Sequence, residues 1–191
     1  MNICVYGASS DAIDPRFLAA GEALGREMAR RGHGLIFGGG GHGLMGAVAR
    51  GMTQGGGSIT GIAPRFFNVD GVLYDGCTEF LYTETMRERK ALMESKADAF
   101  VMTPGGIGTY EEFFEILTLR QLGRHQKPIA ILNTLNYFGP LQSLLDSTIS
   151  QGFMKLACRA LWALFEDPVA LLDFLESDEA HQVTAKGMKN I

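Results

Sequence analysis

Short runs of apolar residues alternate along the chain with longer stretches in which apolar residues recur every three or four positions. The short runs are typical of strands buried on both faces, and the longer stretches are typical of helices with one apolar side. Phe17, Ala20, Leu24 and Met28, for example, mark one side of a helix over 15–31. The pattern predicts strands at 2–6, 34–37, 58–63, 79–82, 98–102, 129–132 and 161–165.

Helices are predicted between and after these strands, at 15–31, 44–52, 84–96, 109–123, 139–150 and 169–175. Strands that alternate with helices favour an α/β fold, a parallel sheet with helices on both faces. Residues 64–76 are rich in turn-forming types and predict a long surface connection, whereas the polar residues 176–191 predict a loose tail. We therefore expect a single domain over 1–175, followed by the tail.

Composition narrows the classes of partner. The 191 residues are 46% hydrophobic and 20% charged, with a formal net charge of -4, so the chain lacks the basic character of a protein that binds nucleic acid or acidic membranes. The N-terminus leads directly into an apolar strand without a signal-like segment, which predicts a cytoplasmic protein. Three distant cysteines and four unclustered histidines predict neither a disulfide framework nor a metal site, and we expect no cofactor.

The most informative segment is 104–112, which reads PGGIGTYEE between a predicted strand and a predicted helix. Glycines let the backbone approach a ligand closely, and the free N–H groups of a helix N-terminus favour an anion such as phosphate. Glu111 and Glu112 follow within one turn. An alternative is a capping box, in which Thr109 and Glu112 satisfy each other's backbone N–H groups and no ligand is involved. That alternative leaves the three glycines unexplained.

Two further glycine segments, 7–10 and 38–43, also follow predicted strands. Ligands of open parallel sheets bind outside the carboxyl ends of the strands, so the three loops are expected to converge there. No Walker sequence is present, and 39–43 lacks the acidic residue expected about 20 positions further on in a dinucleotide site. The loops favour a mononucleotide over a dinucleotide.

A basic segment, 86–90, begins the helix that precedes the strand leading into the 104–112 loop. By itself it is typical of a solvated charged face. Together with the glycine loop, however, the sequence resembles the Lonely Guy family of cytokinin riboside 5′-monophosphate phosphoribohydrolases. The resemblance extends over roughly residues 1–175, and its most specific motifs are Met86-x-x-Arg89-Lys90, Ala97-Asp98-Ala99-Phe100 and Pro104-Gly105-Gly106-x-Gly108-Thr109-x-x-Glu112.

The resemblance implies a Rossmann-like fold, a homodimer or dimer-based oligomer, and hydrolysis of a nucleoside 5′-monophosphate to a free base and ribose 5-phosphate. It implies Arg89 and Glu112 as catalytic residues. The substrate contacts that it implies are Ser9, Gly40, Arg89, Lys90, Gly105, Gly106, Gly108, Thr109 and Glu111.

The chain departs from the family pattern at two places. Arg87 stands where histidine is common, and Arg65-Phe66-Phe67 stands where a carboxylate often follows the preceding strand. A second function from a different class is a carrier that binds a nucleotide or molybdenum cofactor without catalysis, since some relatives of this fold do so. The occurrence of both Arg89 and Glu112 favours the enzyme.

Overall fold

The computed structural model describes residues 1–183 and 188. These residues form one domain built on a parallel sheet of seven strands, in the order β4-β3-β2-β1-β5-β6-β7. The Rossmann-like parallel α/β fold expected from the sequence is thereby confirmed. The strands are β1 (Asn2–Tyr6), β2 (Gly34–Phe37), β3 (Ile59–Pro64), β4 (Glu79–Thr83), β5 (Ala99–Met102), β6 (Ile129–Leu132) and β7 (Ala163–Phe165).

Seven α-helices lie in the described part of the chain, and none of them is long and apolar enough to cross a membrane. Most agree with the predicted helices to within two residues. The helices are α1 (Pro15–Arg30), α2 (Gly43–Gln54), α3 (Met86–Lys96), α4 (Ile107–Gln121), α5 (Gly139–Ser150), α6 (Pro168–Glu176) and α7 (Asp178–Gln182). Short 3-10 turns at Arg65–Phe67, Thr134–Asn136 and Leu156–Leu161 were not predicted.

The sheet separates two hydrophobic cores. Successive side chains of a strand point to opposite faces, so Ile3 and Val5 of β1 enter one core, whereas Cys4 and Tyr6 enter the other. Helices α1, α2 and α6 contribute apolar residues to the first core, and α3, α4 and α5 contribute to the second. Burial on both faces is the reason why the strands read as continuous apolar runs.

Helices α1 and α2 cross in direct backbone contact. A Cβ atom added at Gly25 of α1 would lie 2.1 Å from the Val48 carbonyl oxygen, and one added at Gly51 of α2 would lie 2.2 Å from the Glu22 carbonyl oxygen. Only glycine fits at these two positions without moving the helices apart. The crossing therefore holds the loop that precedes α1 close to the loop that precedes α2.

The prediction of a loose tail is wrong for residues 176–182. Glu176 ends α6, and 178–182 form α7, whose Ala180 is fully buried. The buried guanidinium of Arg120 donates through Nη2 to the Ala180 carbonyl at 3.0 Å and through Nη1 to the Leu161 carbonyl at 2.8 Å. Met188 is buried as well, while 184–187 and 189–191 lie outside the described residues.

Candidate active site

The three glycine loops meet at the carboxyl edge of the sheet, as predicted. The chain runs outward from β1 through β2, β3 and β4 on one side and then returns to β5 on the other side. The loops after β1 and β5 therefore diverge and leave a crevice between them. A cavity of about 580 Å³ occupies this position, and residues of all three loops line it together with residues of α3, α4 and the 65–76 segment.

The N-terminus of α4 faces this cavity without a side-chain cap among the described residues. Gly106 is the N-cap residue and Ile107 begins the helix. A Cβ atom added at Gly106 or Gly108 would meet no atom within 4 Å, and both residues line the cavity. Protein packing does not require glycine at these two positions. Open space beside the amide end of a helix is a suitable place for a phosphate.

The N-terminus of α2 differs, because the protein itself supplies acceptors there. The Gly43 N–H donates to the Asp11 carboxylate at 2.7 Å, and the Met45 N–H donates to the Ala8 carbonyl at 3.2 Å. The Asp11 carboxylate thus occupies the place that an anion would take. Of these two helix ends in the crevice, α4 is the better candidate for a phosphate.

The alternative of a capping box at Thr109 and Glu112 is wrong. Helix α4 begins two residues earlier than predicted, so Thr109 is its third residue and is buried. A capping box does occur in the chain, but at the start of α3, where Thr85 and Glu88 bond each other's backbone N–H groups. Glu112 is therefore not engaged in capping, and it is part of the lining of the cavity.

Glu112 forms a buried ion pair with Arg89. The distance from Arg89 Nη1 to Glu112 Oε1 is 3.2 Å, and the two side chains are 9% and 11% exposed. Two further contacts fix the position of Arg89. Its Nε donates to the Ile62 carbonyl at 3.2 Å, and its Nη2 packs against Gly38, where an added Cβ atom would lie only 2.1 Å from Nη2. Helices α3 and α4 present the pair to the same cavity from one face of the sheet.

Burial has a clear effect on this carboxyl group. It raises the pKa of Glu112 from 4.5 to about 7, against the opposing charge of Arg89. The negative charge of Glu111 adds to this upward shift of the pKa, and the positive charge of Lys90 opposes it. A carboxyl group with a pKa near neutral pH can accept and release a proton under working conditions.

The remaining predicted site residues divide into two groups. Ser9, Gly40, Arg89, Gly106, Gly108, Thr109 and Glu112 all line the cavity. Gly105, Lys90 and Glu111 do not belong to the lining that the structure shows. Lys90 forms an ion pair with Glu111 and also lies 2.9 Å from Glu115, so its ammonium group is engaged by two carboxylates of α4.

The 65–76 segment is a wall of the cavity, not merely the surface connection that its composition predicts. Phe67, Asp70 and 71–73 line the cavity, and Leu73 pairs with Gly40 in an antiparallel bridge. His42, in the second glycine loop, links this segment to the residue that follows the first glycine loop. Its Nδ1 lies 2.6 Å from Asp11 Oδ2, and its Nε2 lies 2.9 Å from the Gly71 carbonyl. The apolar Phe66, Phe67 and Val69 are the signal that could have marked this segment.

Comparison with known proteins finds relatives over most of the chain. Residues 45–175 match a family model described as "Possible lysine decarboxylase". The chain is 34% identical over 188 residues to "Probable cytokinin riboside 5'-monophosphate phosphoribohydrolase LOGL2" of Oryza sativa subsp. japonica, covering 98% of this chain and 77% of that protein. It is also 34% identical over 186 residues to "Cytokinin riboside 5'-monophosphate phosphoribohydrolase LOG7" of Arabidopsis thaliana, covering 96% and 86%.

Solved structures share the fold at lower identity. A molybdenum cofactor binding protein from Rippkaea orientalis superposes with a TM-score of 0.70 at 20% identity, covering 92% of this chain and 94% of that one. The molybdenum cofactor carrier protein of Chlamydomonas reinhardtii superposes with a TM-score of 0.68 at 21% identity, covering 91% and 96%. These two likenesses concern the fold alone. By its matches in sequence, the chain belongs to the Lonely Guy family of cytokinin riboside 5′-monophosphate phosphoribohydrolases.

Proposed function

We propose that this protein hydrolyses the N-glycosidic bond of AMP or of a cytokinin riboside 5′-monophosphate in the cytoplasm, releasing the free base and ribose 5-phosphate. The observation that carries the proposal is the buried Arg89–Glu112 pair beside the uncapped N-terminus of α4, in one cavity. The family to which the chain belongs supports the same reaction. The non-catalytic carrier is the weaker candidate, because its support is a shared fold.

In the proposed complex, the 5′-phosphate lies against Gly106, Gly108 and Thr109 at the start of α4. Glu112 follows one turn after Gly108 on the same helix, which places its carboxyl group beside the ribose. Ser9 and Gly40 contact the nucleotide from the other two loops. Lys90, Glu111 and Gly105 are then supporting residues, because they do not themselves line the cavity.

The reaction breaks the bond between C1′ and the base nitrogen, and the electron pair leaves with the base. Positive charge develops on the ribose, as in other glycosyl transfers. We assign to Glu112 the stabilisation of that charge and the removal of a proton from the water that adds to C1′; a proton is returned to the leaving base. Arg89 stays protonated, so its role is to hold the carboxylate and to stabilise negative charge.

We also infer a homodimer, as the family resemblance implies. Leu117 on α4 is buried in the core, so it is not available for a dimer interface. A better surface is the outer side of α4, where Ile107 is 83% exposed and Phe114, seven residues later on the same side of the helix, is also exposed. Exposed apolar residues in one row are typical of an interface.

Replacing Glu112 tests the mechanism. Glu112→Gln keeps the size of the side chain but removes its charge, so turnover of AMP should fall roughly 10²-fold to 10⁴-fold. At pH 4 to 5, where Glu112 of wild type is itself protonated, the two proteins should have similar melting temperatures. Glu111→Gln is the matched control on the adjacent residue and should retain most of the activity. A Glu112→Gln protein with near-normal turnover would remove Glu112 from the mechanism.

The pH dependence follows from the raised pKa of Glu112. Ionised Glu112 is the active form, so kcat/KM for AMP should rise as the pH passes through about 7. The free energy of unfolding should change in the opposite direction to activity as the pH rises. The stabilisation that protonated Glu112 contributes is complete below pH 4.5 and is lost as the pH rises through about 7. Thermal unfolding between pH 4 and 8 should therefore show a decline in wild type that is smaller in Glu112→Gln. Identical pH profiles of stability in the two proteins would contradict this assignment.

Alanine at Gly106 or Gly108 tests the phosphate site. The space beside both residues is open, so each variant should fold as well as wild type. The added methyl group would stand where the phosphate binds, and kcat/KM for AMP should fall roughly tenfold or more, since hydrogen bonds to charged groups contribute most to such binding. Adenosine, which has no phosphate, should be a poor substrate of wild type and should be unaffected by either change. Equal turnover of AMP and adenosine by wild type would exclude a phosphate site.

The proposed dimer is tested at Phe114. Light scattering of wild type should give about twice the chain mass of 20.7 kDa, and Phe114→Glu should give a single chain because a charge cannot be buried there without a partner. Leu144→Glu, at an exposed leucine on α5, is the matched control and should leave the dimer intact. Wild type that scatters as 20.7 kDa in dilute solution would refute the dimer.

A further inference from the structure

The turn after β6 contains strained backbone. Leu135 and Asn136 have φ values of 55° and 56°, in the left-handed region that residues with a side chain rarely adopt. The turn is held by Asn133, whose carbonyl accepts from the Asn136 N–H at 3.0 Å and whose side chain accepts from the Phe138 N–H at 2.7 Å. Strain that the surrounding structure maintains is often found where a side chain must be placed for function.

The side chain that this turn places is Tyr137. Its hydroxyl group donates to the Gly105 carbonyl at 2.7 Å, and its ring packs edge-on against Phe17 and Phe138. A second hydroxyl, that of Tyr110 on α4, is hydrogen-bonded to Tyr137; burial and this bond raise the pKa of Tyr110 to about 12. Tyr137 itself is not part of the cavity lining, so it contacts the 104–109 loop from the side away from the cavity.

Two contacts fix the loop just before the peptide bond between Gly105 and Gly106. The Ala8 N–H donates to the Pro104 carbonyl at 3.0 Å, and the Cα of Gly105 lies so close to Thr109 that a Cβ atom would be 2.1 Å from its Oγ1. The peptide bond between Gly105 and Gly106 is trans, so its carbonyl and N–H point in opposite directions. A carbonyl that points to Tyr137 leaves the Gly106 N–H pointing away from Tyr137.

We propose that Tyr137 is a positioning residue that turns the Gly106 N–H toward the 5′-phosphate of the substrate, through its hydrogen bond to the Gly105 carbonyl. The inference rests on the proposed function, because it names the group that prepares the phosphate site of that reaction. Without this bond the peptide can rotate, and its carbonyl oxygen would then repel the phosphate. The strained turn at Leu135 and Asn136 brings the hydroxyl group to the required place.

Tyr137→Phe removes the donor and keeps the aromatic ring. We would titrate wild type and variant with inorganic phosphate and follow the amide resonance of Gly106, so that no catalysis is needed. The dissociation constant for phosphate should rise about tenfold in Tyr137→Phe, the effect of losing one oriented hydrogen bond to a charged group. The melting temperature should shift by no more than about 4 °C. Tyr110→Phe, which keeps the bond between Tyr137 and Gly105, is the control and should bind phosphate within about twofold of wild type.

Kinetics give a second readout. In Tyr137→Phe, kcat/KM should fall for AMP and stay unchanged for adenosine. A variant that binds phosphate and hydrolyses AMP as wild type does would overturn the inference, and so would an equal loss toward AMP and adenosine, which a merely structural role predicts. If wild type binds phosphate but hydrolyses no nucleotide, the proposed reaction fails while the phosphate titration still decides the role of Tyr137.

Discussion

The burial of one carboxyl group, that of Glu112, is the constraint on which the site depends. A carboxylate removed from water is unfavourable unless a cation lies close to it, and here Arg89 is that cation. The guanidinium is in turn fixed by the Ile62 carbonyl and by the space that Gly38 leaves open. Arg89 offsets only part of the cost of burying the Glu112 carboxylate, since burial still raises the pKa of Glu112 to about 7. Incomplete compensation keeps the carboxyl group reactive near neutral pH.

The topology of the sheet determines where this pair can act. The strand order reverses between β1 and β5, and the loops after those two strands leave a crevice. Helix α4 begins at this crevice and carries both the proposed phosphate site and Glu112. The contact between the backbones of α1 and α2 holds the other two loops at the same edge. In the proposed complex, this one helix therefore sets the distance between the phosphate and the carboxyl group that acts on the ribose.

The glycines of the chain serve two different purposes. At Gly25 and Gly51 the neighbouring helix leaves no room for a side chain, so glycine is required by packing. At Gly106 and Gly108 none of the described residues opposes a side chain, and our proposal explains these glycines by a ligand. The sequence alone does not distinguish a glycine that packing requires from a glycine that makes room for a ligand. Only the atoms around each position separate a packing requirement from a binding requirement.

The sequence by itself determined the order of strands and helices, the parallel sheet, the convergence of the three glycine loops and the residues of the Arg89 and Glu112 motifs. The order of the elements follows from local periodicity, which the buried faces of strands and helices impose on neighbouring residues. The convergence of the loops follows from the parallel sheet, and the Arg89 and Glu112 motifs follow from the resemblance to the family. Tertiary structure decided the rest. The start of α4 excluded the capping box, and Lys90 formed an ion pair with Glu111. The 65–76 segment lines the cavity. Arg120 and Tyr137 donate hydrogen bonds to carbonyl groups on distant segments. Each of these outcomes depends on contacts between residues far apart in the chain, and no local pattern of apolar and polar positions encodes such contacts.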